Sequence, residues 1–473
     1  MRRRLMRRTK DQRGVAMITV LFIGATITIV ASTAAFVTIQ ELRSSTDDRK
    51  AAAALSYAEA GVDRLLLSLR GGTYNWGNIR LAGCDTQHPP VRIQGQIGNG
   101  TFDAQLTVYN PDASTPAGKI PPGACAGRSD DPKQEQPFAI TSTGRHPAAR
   151  RVVRQELLIK ASGLPVGIYS DRIDANGTGA MLNVSVVTPG NMTGREKIGF
   201  SGEDPYYTLG DFYPGLSTTT PIPTAIHAVG TLTIKNKNEH PPSPNCTANE
   251  RGNPAQAVWD GSGTGTTLTS GCAGWGPDFP PTSRFTTADL ARVTPRPTLT
   301  EEDYNALKQV AKSSGYYCLP AGNNLSCSRQ GGAFTNVSST IENTHLGPLL
   351  SQPTFVMYVD YPAGGDPFGN SQEVKWHANV APCSDDPALN RQAIVIVRNG
   401  SVHANAGSEL TGALIIPEGG FDSNGDAVTH GTIIAKDMWI RGTMTFEMSE
   451  CWVRNLPAPW LTVTPTSWAE VDR

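Results

Sequence analysis

Between Val15 and Gln40 the chain carries no charged residue. This 26-residue tract, VAMITVLFIGATITIVASTAAFVTIQ, restricts the fold more than any other feature. About 20 consecutive apolar residues suffice for a helix to cross a bilayer. The tract follows MRRRLMRRTKDQRG, which holds seven cations (Arg2, Arg3, Arg4, Arg7, Arg8, Lys10, Arg13) and one anion, Asp11. The positive-inside rule keeps such a block in the cytoplasm. The expectation is a single-pass protein of the cytoplasmic membrane with its N-terminus inside and everything after residue 40 outside. A plain uncleaved anchor is the blander reading. A secretory signal cut near Ser32-Thr33-Ala34 is another, but the helical pattern runs on through that site.

The helical pattern does not stop at Gln40. No proline occurs before Pro89, and Ala51–Leu55 is a strong helix former. Leu55, Ala58, Val62, Leu65, Leu66 and Leu69 recur on one helical face. Gly71-Gly72 supplies a stop. One helix over 15–70 would be ~80 Å long at ~1.5 Å per residue. Its second half is amphipathic and needs a covering surface.

A short basic leader ending in Gly14, the uncharged tract and the helix bearing AEAGVDRLLLSL together resemble the type IV pilin superfamily. They are most similar to PilX-type minor pilins and K-type minor pseudopilins of type II secretion. The resemblance covers about the first 70 residues. It implies cleavage by prepilin peptidase between Gly14 and Val15, methylation of the Val15 amine, and partners among other pilin or pseudopilin subunits and an inner-membrane assembly platform. One position departs from the pattern. The family's fifth mature residue is usually Glu, whose carboxylate neutralises a neighbour's N-terminal amine. Here it is Thr19. K-type tip subunits share that lack, so the resemblance points to the filament tip.

Beyond the helix the composition favours strands and turns, with 48 Gly and 35 Pro. Val91, Ile93 and Ile97, then Phe102, Ala104, Leu106 and Val108, alternate about Asn99-Gly100 and predict a hairpin, with Gly95 as a bulge candidate. FAITSTGRHPAARRVVRQELLIKAS predicts two further strands, and its STG text resembles a turn of pilin-like heads. Arg145, Arg150, Arg151 and Arg154 cluster there, as an edge-strand guard or an anion contact. Thr300 and Asp303 form a capping box before a helix. AIVIV (393–397), ALIIP (413–417) and TIIAK (432–436) recur at 19–20 residues, as coils of a parallel β-solenoid would.

The expected fold class is therefore α+β: a long N-terminal transmembrane and amphipathic helix packed on a small antiparallel sheet, then a β-rich, solenoid-like C-terminal domain. The expected divisions are a leader over 1–14, a helix over 15–70, a small β unit over 71–162, and a β-rich unit over 163–473 with repeats near 393–446.

All eight cysteines follow the uncharged tract, and an even count in an exported domain favours disulfides. Eight cysteines allow 105 connectivities. The pairing that closes only local loops is Cys84–Cys125, Cys246–Cys272, Cys318–Cys327 and Cys383–Cys451. The 41 Lys+Arg balance 42 Asp+Glu, which argues against a nucleic-acid partner. Eight scattered histidines show no metal-ligand spacing, and no nucleophile or phosphate-loop motif occurs. FDSNGDA alternates Asp422, Asn424 and Asp426 as Ca²⁺ ligands do, or as an Asn-Gly turn between strands does. Apart from that Ca²⁺, no cofactor is expected. Trp259, Trp275, Trp376, Trp439 and Trp452 are core or interface residues, or a carbohydrate platform.

The expected function is a non-catalytic minor pilin or pseudopilin acting in filament assembly, priming or surface contact. The alternatives are a membrane-anchored adhesin without a filament and an anchored β-helix enzyme acting on polysaccharide. The enzyme requires a carboxylate cluster on one face of the repeats.

Overall fold

A computed structural model describes residues 5–70, 74–109, 132–161, 167–235, 287–294, 299–380, 391–456 and 460–471, less isolated positions inside them, together with Cys125, Arg128, Ser129 and Ser384. In the first helix, side chains are described from Thr26 onward.

Helix α1 runs from Leu5 to Arg70 without interruption, so it includes most of the basic leader. Its C-terminal third lies on an antiparallel sheet. Ala54, Ala58, Val62, Leu65 and Leu69 are buried there, a spacing of three and four residues that makes one continuous stripe. The sheet is built from β1 (Val91–Ile97), β2 (Gly100–Val108), β3 (Gln136–His146) and β4 (Ala149–Ala161). β1 and β2 form the expected hairpin, with Ile97 opposite Gly100, so the two loop residues are Gly98 and Asn99. Gly98 takes φ +57°, which glycine allows at little cost. Gly95 is not a bulge. It stays in register opposite Phe102, and a Cβ there would lie 2.5 Å from that ring.

The STG text is not a turn either. Ser142, Thr143 and Gly144 are interior to β3, and the turn falls at Pro147-Ala148. A Cβ on Gly144 would stand 2.0 Å from the Ala54 carbonyl oxygen and 2.4 Å from the Ala58 nitrogen. The glycine lets the helix backbone rest directly on the strand.

A fifth strand completes this sheet from the far end of the chain. Leu461–Glu470 pairs antiparallel with β4, with Leu461 opposite Ala161 and Glu470 opposite Val153. β4 is therefore an interior strand, which removes the edge-guard reading of its arginines.

Most of the strands described after Ala161 form a stack of parallel strands. Along one ladder the order in space is Tyr316–Ala321, Thr354–Asp360, Gln392–Arg398, Glu409–Asn424, Ala427–Ile440, Ile168–Ala175, Ser185–Thr188 and Ala225–Ala228. The AIVIV, ALIIP and TIIAK segments are three successive members. The chain enters in the middle at Ile168 and builds outward to Ala228. It later resumes at the opposite end and returns until Ile433 pairs with Ile168. A second parallel ladder runs beside the first through Glu373–Trp376, Ser401–Asn405 and the C-terminal ends of the two long strands. Gly412 and Gly431, at φ +135° and +140°, bend successive coils at one level, and a Cβ on either would strike the backbone of the coil before it. The capped helix Glu301–Ser313 is present, with the Thr300–Asp303 box closed in both directions.

Just before β3, Lys133 reaches the segment from Glu203 to Phe212, which forms its own short hairpin outside the stack. The Lys133 Nζ lies 3.0 Å from Asp211 Oδ2 and over the rings of Tyr206 and Tyr207.

Two expectations are corrected here. Among the described residues, no helix is long and apolar enough to cross a membrane. Within the uncharged tract, Thr26, Thr28, Ser32, Thr33 and Thr38 bring hydroxyl side chains that lower its mean hydropathy. The expected membrane-spanning half and the single-pass placement in the cytoplasmic membrane are not supported. The fold class is also not a helix on a small sheet with a β appendage. The architecture is predominantly β, with a large parallel multi-ladder domain and one long helix.

Candidate assembly surface

Between Thr26 and the sheet, α1 is bare. Ile27, Ile29, Val30, Phe36, Val37, Ile39 and Leu42 are between 46 and 66% exposed. At ~100° per residue these positions spread around the whole circumference. A helix that is apolar on every side belongs in the interior of an assembly of elements. A single partner sheet would cover only one stripe of it. Ser32, Thr33 and Thr38 donate their hydroxyls to the carbonyls four residues back, so their polar atoms are satisfied within the helix and do not oppose burial. Charge returns at Glu41, Arg43, Asp47 and Asp48, just before the docked stripe begins.

Gly14, Val15 and Thr19 lie in the α1 backbone, but their side chains are outside the described residues. The signal for their role remains the sequence pattern alone.

The disulfide framework is partly visible. Cys84 is bonded to Cys125 across 41 residues, and Cys318 to Cys327 across nine. The second joins directly opposed residues of the antiparallel strands Tyr316–Ala321 and Asn324–Arg329. Cys451 is also disulfide-bonded. Cys246, Cys272 and Cys383 lie outside the described residues. Cys84, Asp85, His88 and Cys125 gather their donor atoms within 4.8 Å, as a metal site would. The two sulfurs are consumed in the disulfide, and a metal site needs thiolates. Asp85 instead accepts from His88 at 2.8 Å, and this bond holds its carboxyl below the usual range.

The arginine cluster divides. Arg151 pairs with Glu470 at 3.1 Å and Arg154 with Glu156 at 3.5 Å. Arg145 and Arg150 face each other directly across the β3–β4 hairpin and line an open hollow of about 590 Å³ with Asn99, Thr101 and His146.

Asp422 and Asn424 lie in one strand and Asp426 in the turn that follows it. Asp422 Oδ2 faces His403 Nδ1 at 3.4 Å and its Oδ1 faces Arg441 Nε at 3.4 Å. Two basic neighbours compete with any cation. The Asp422 carboxylate raises the pKa of His403, and partial burial opposes that shift. Asn424 ends a strand, and Gly425-Asp426 turn the chain into the next one.

Of the five tryptophans, Trp376 and Trp452 are buried at 3% and 0% exposure. Trp439 is partly exposed. Trp259 and Trp275 lie outside the described residues.

No protein-family model matches the chain, and no curated protein matches it. Among solved structures it is similar to the competence-associated pilin ComZ from Thermus thermophilus. The identity is 12% and the TM-score 0.26, over 89% of this chain and 97% of that one. A TM-score at that level carries no argument about fold or role.

Proposed function

We propose that this protein is a non-catalytic minor subunit of a type IV pilin-like filament, with α1 packed among the helices of other subunits and the β-rich bulk carried outside the helical core. The observation that carries the reading is the unequal exposure of α1. Its stripe from Ala54 to Leu69 is satisfied by its own sheet, while Ile27, Ile29, Val30, Phe36, Val37, Ile39 and Leu42 leave apolar side chains exposed around its circumference. Seven large apolar side chains left in water are worth roughly 1.5–3 kcal/mol each when buried. A bundle of partner helices would recover that stabilisation.

The basic leader and Gly14 further support processing by a prepilin peptidase between Gly14 and Val15. Thr19 supports a terminal position. A hydroxyl offers a hydrogen bond but no Coulomb partner for a neighbour's amine. In this reading the protein acts in assembly or priming through other pilin subunits and an assembly platform.

Two measurements test it. Mass spectrometry of the native protein is expected to find a start at Val15, with Gly14→Leu leaving Met1 in place. A photo-crosslinking residue at Phe36 is expected to capture the corresponding helix of another subunit. An intact N-terminus together with no crosslink at Phe36 would sink the reading.

A further inference from the structure

The second ladder of the stack presents an ordered outward face. Val402, Phe421, Met438 and Ile173 point inward and are each 1% exposed. The residues that alternate with them point out. Register places Lys375, His403, Asp422, Trp439 and Asp174 in one row across five coils. A parallel row two residues earlier holds Ser401, Gly420, Asp437 and Arg172.

Trp439 stands near the centre of this array. A Cβ on Gly420 would lie 2.3 Å from the indole Cζ3, so the absent side chain makes room for the ring. Phe368, 41% exposed, meets Trp439 edge-on at 5.6 Å and 84°. The Phe368 loop is held against the array, because Ser401 Oγ donates to the Pro367 carbonyl. Indole and phenyl thus form an aromatic corner, one ring as floor and one as wall. Around it the charges are paired. Arg172 is 3.0 Å from Asp437 with its guanidinium 6.0 Å from the indole, and His403 and Arg441 flank Asp422.

We propose that this aromatic corner and the polar rows beside it bind a neutral glycan chain. Axial C–H groups of a pyranose pack on an aromatic face, while its hydroxyls donate to carboxylates and accept from guanidinium and imidazole groups. The balance of cations and anions disfavours a polyanion, which needs a net positive surface. Coils repeat at ~4.8 Å, close to the advance of one pyranose in an extended chain. A glycan running along the stack would therefore meet one row position per sugar. This inference does not depend on filament membership.

The test is isothermal titration of the full chain with cellohexaose, mannohexaose and xylohexaose, and with polygalacturonate as the anionic comparator. At least one neutral hexasaccharide is expected to bind, more tightly than its disaccharide. Trp439→Ala and Phe368→Ala are each expected to weaken binding about tenfold or more. Trp439→Phe should retain most of the affinity, and Trp468→Ala, an exposed tryptophan on the C-terminal strand, should leave it unchanged. If Trp439→Ala disturbs folding by circular dichroism, Phe368→Ala decides, since that ring lies on an exposed loop. Three results would overturn the proposal: no binding of any neutral hexasaccharide, wild-type affinity in the Phe368 variant, or salt-sensitive binding to polygalacturonate alone.

Discussion

Strand β2 alternates buried and part-exposed positions from Gly100 to Val108, whereas Ala393–Val397 is buried at every position. Both segments are extended, and both are rich in apolar residues. They differ in what covers them. β2 has α1 on one face and solvent on the other, as antiparallel sheets commonly do. Ala393–Val397 is covered on both faces, and the helix Glu301–Ser313 packs on the adjacent coil Thr354–Asp360. Arg398 is tied back to Glu301 at 3.0 Å and to Glu418 at 2.9 Å. The sheet is therefore assembled largely from neighbours in sequence, and the stack largely from distant ones.

The largest effect should come from the glycine bends of the stack. Gly412→Val places a Cβ 1.9 Å from the Ala393 carbonyl oxygen at a φ of +135°. Backbone strain and overpacking together are expected to cost about 3–5 kcal/mol, read as a lower denaturation midpoint. Gly144→Ala clashes with α1 without a left-handed φ. It should cost only about 1–3 kcal/mol and raise hydrogen exchange in β3. Equal losses would break the distinction between the two regions.

Leu65→Ala probes the helix–sheet core, where Leu65 is fully buried. A loss of about 2–5 kcal/mol is expected, with exchange rising in β1–β4 before the stack. If the stack opens first, the two regions are one cooperative unit.

Removing the Cys318–Cys327 bridge by paired alanine substitution should cost about 2–3 kcal/mol, as expected for a short closed loop. The effect should be confined to the Tyr316 end of the stack.

The smallest effect per step is a pH dependence of the stack. His227 is fully buried, and burial pushes its pKa from 6.5 down to about 3. Its ring packs 4.1 Å from that of Phe212. The unfolded chain takes up this proton near 6.5 and the folded chain only near 3, so stability falls as pH falls through that window. The slope is up to ~1.4 kcal/mol per pH unit. In His227→Leu that part of the slope should vanish in acid titrations followed by exchange at Ala225–Ala228, while the sheet's own pH response stays the same.

What could be read from the residues in order was what neighbours in sequence decide. The α1 stripe, the β1–β2 hairpin, the Thr300 cap and the short Cys318–Cys327 loop are local, and each carries its own periodicity or spacing signal. The bridge from Cys84 to Cys125 followed from the same preference for local loops. The repeat of AIVIV, ALIIP and TIIAK was legible because those three coils happen to be consecutive.

The rest depends on contacts that leave no local mark. Nothing in IYSDRIDA states that Ile168 will pair with Ile433, and nothing in LTVTPTSWAE states that it will close the sheet beside β4. The roles of Gly144 and Gly420 depend on which backbone or ring arrives above them. The sequence singled out Trp439 only as one of five tryptophans. Its place beside Gly420, Phe368 and Arg172 was decided by register between coils and by a loop folded back from residue 368. Side-chain periodicity reports which face of a strand is buried, but the identity of the neighbour across the ladder is a property of the folded chain alone.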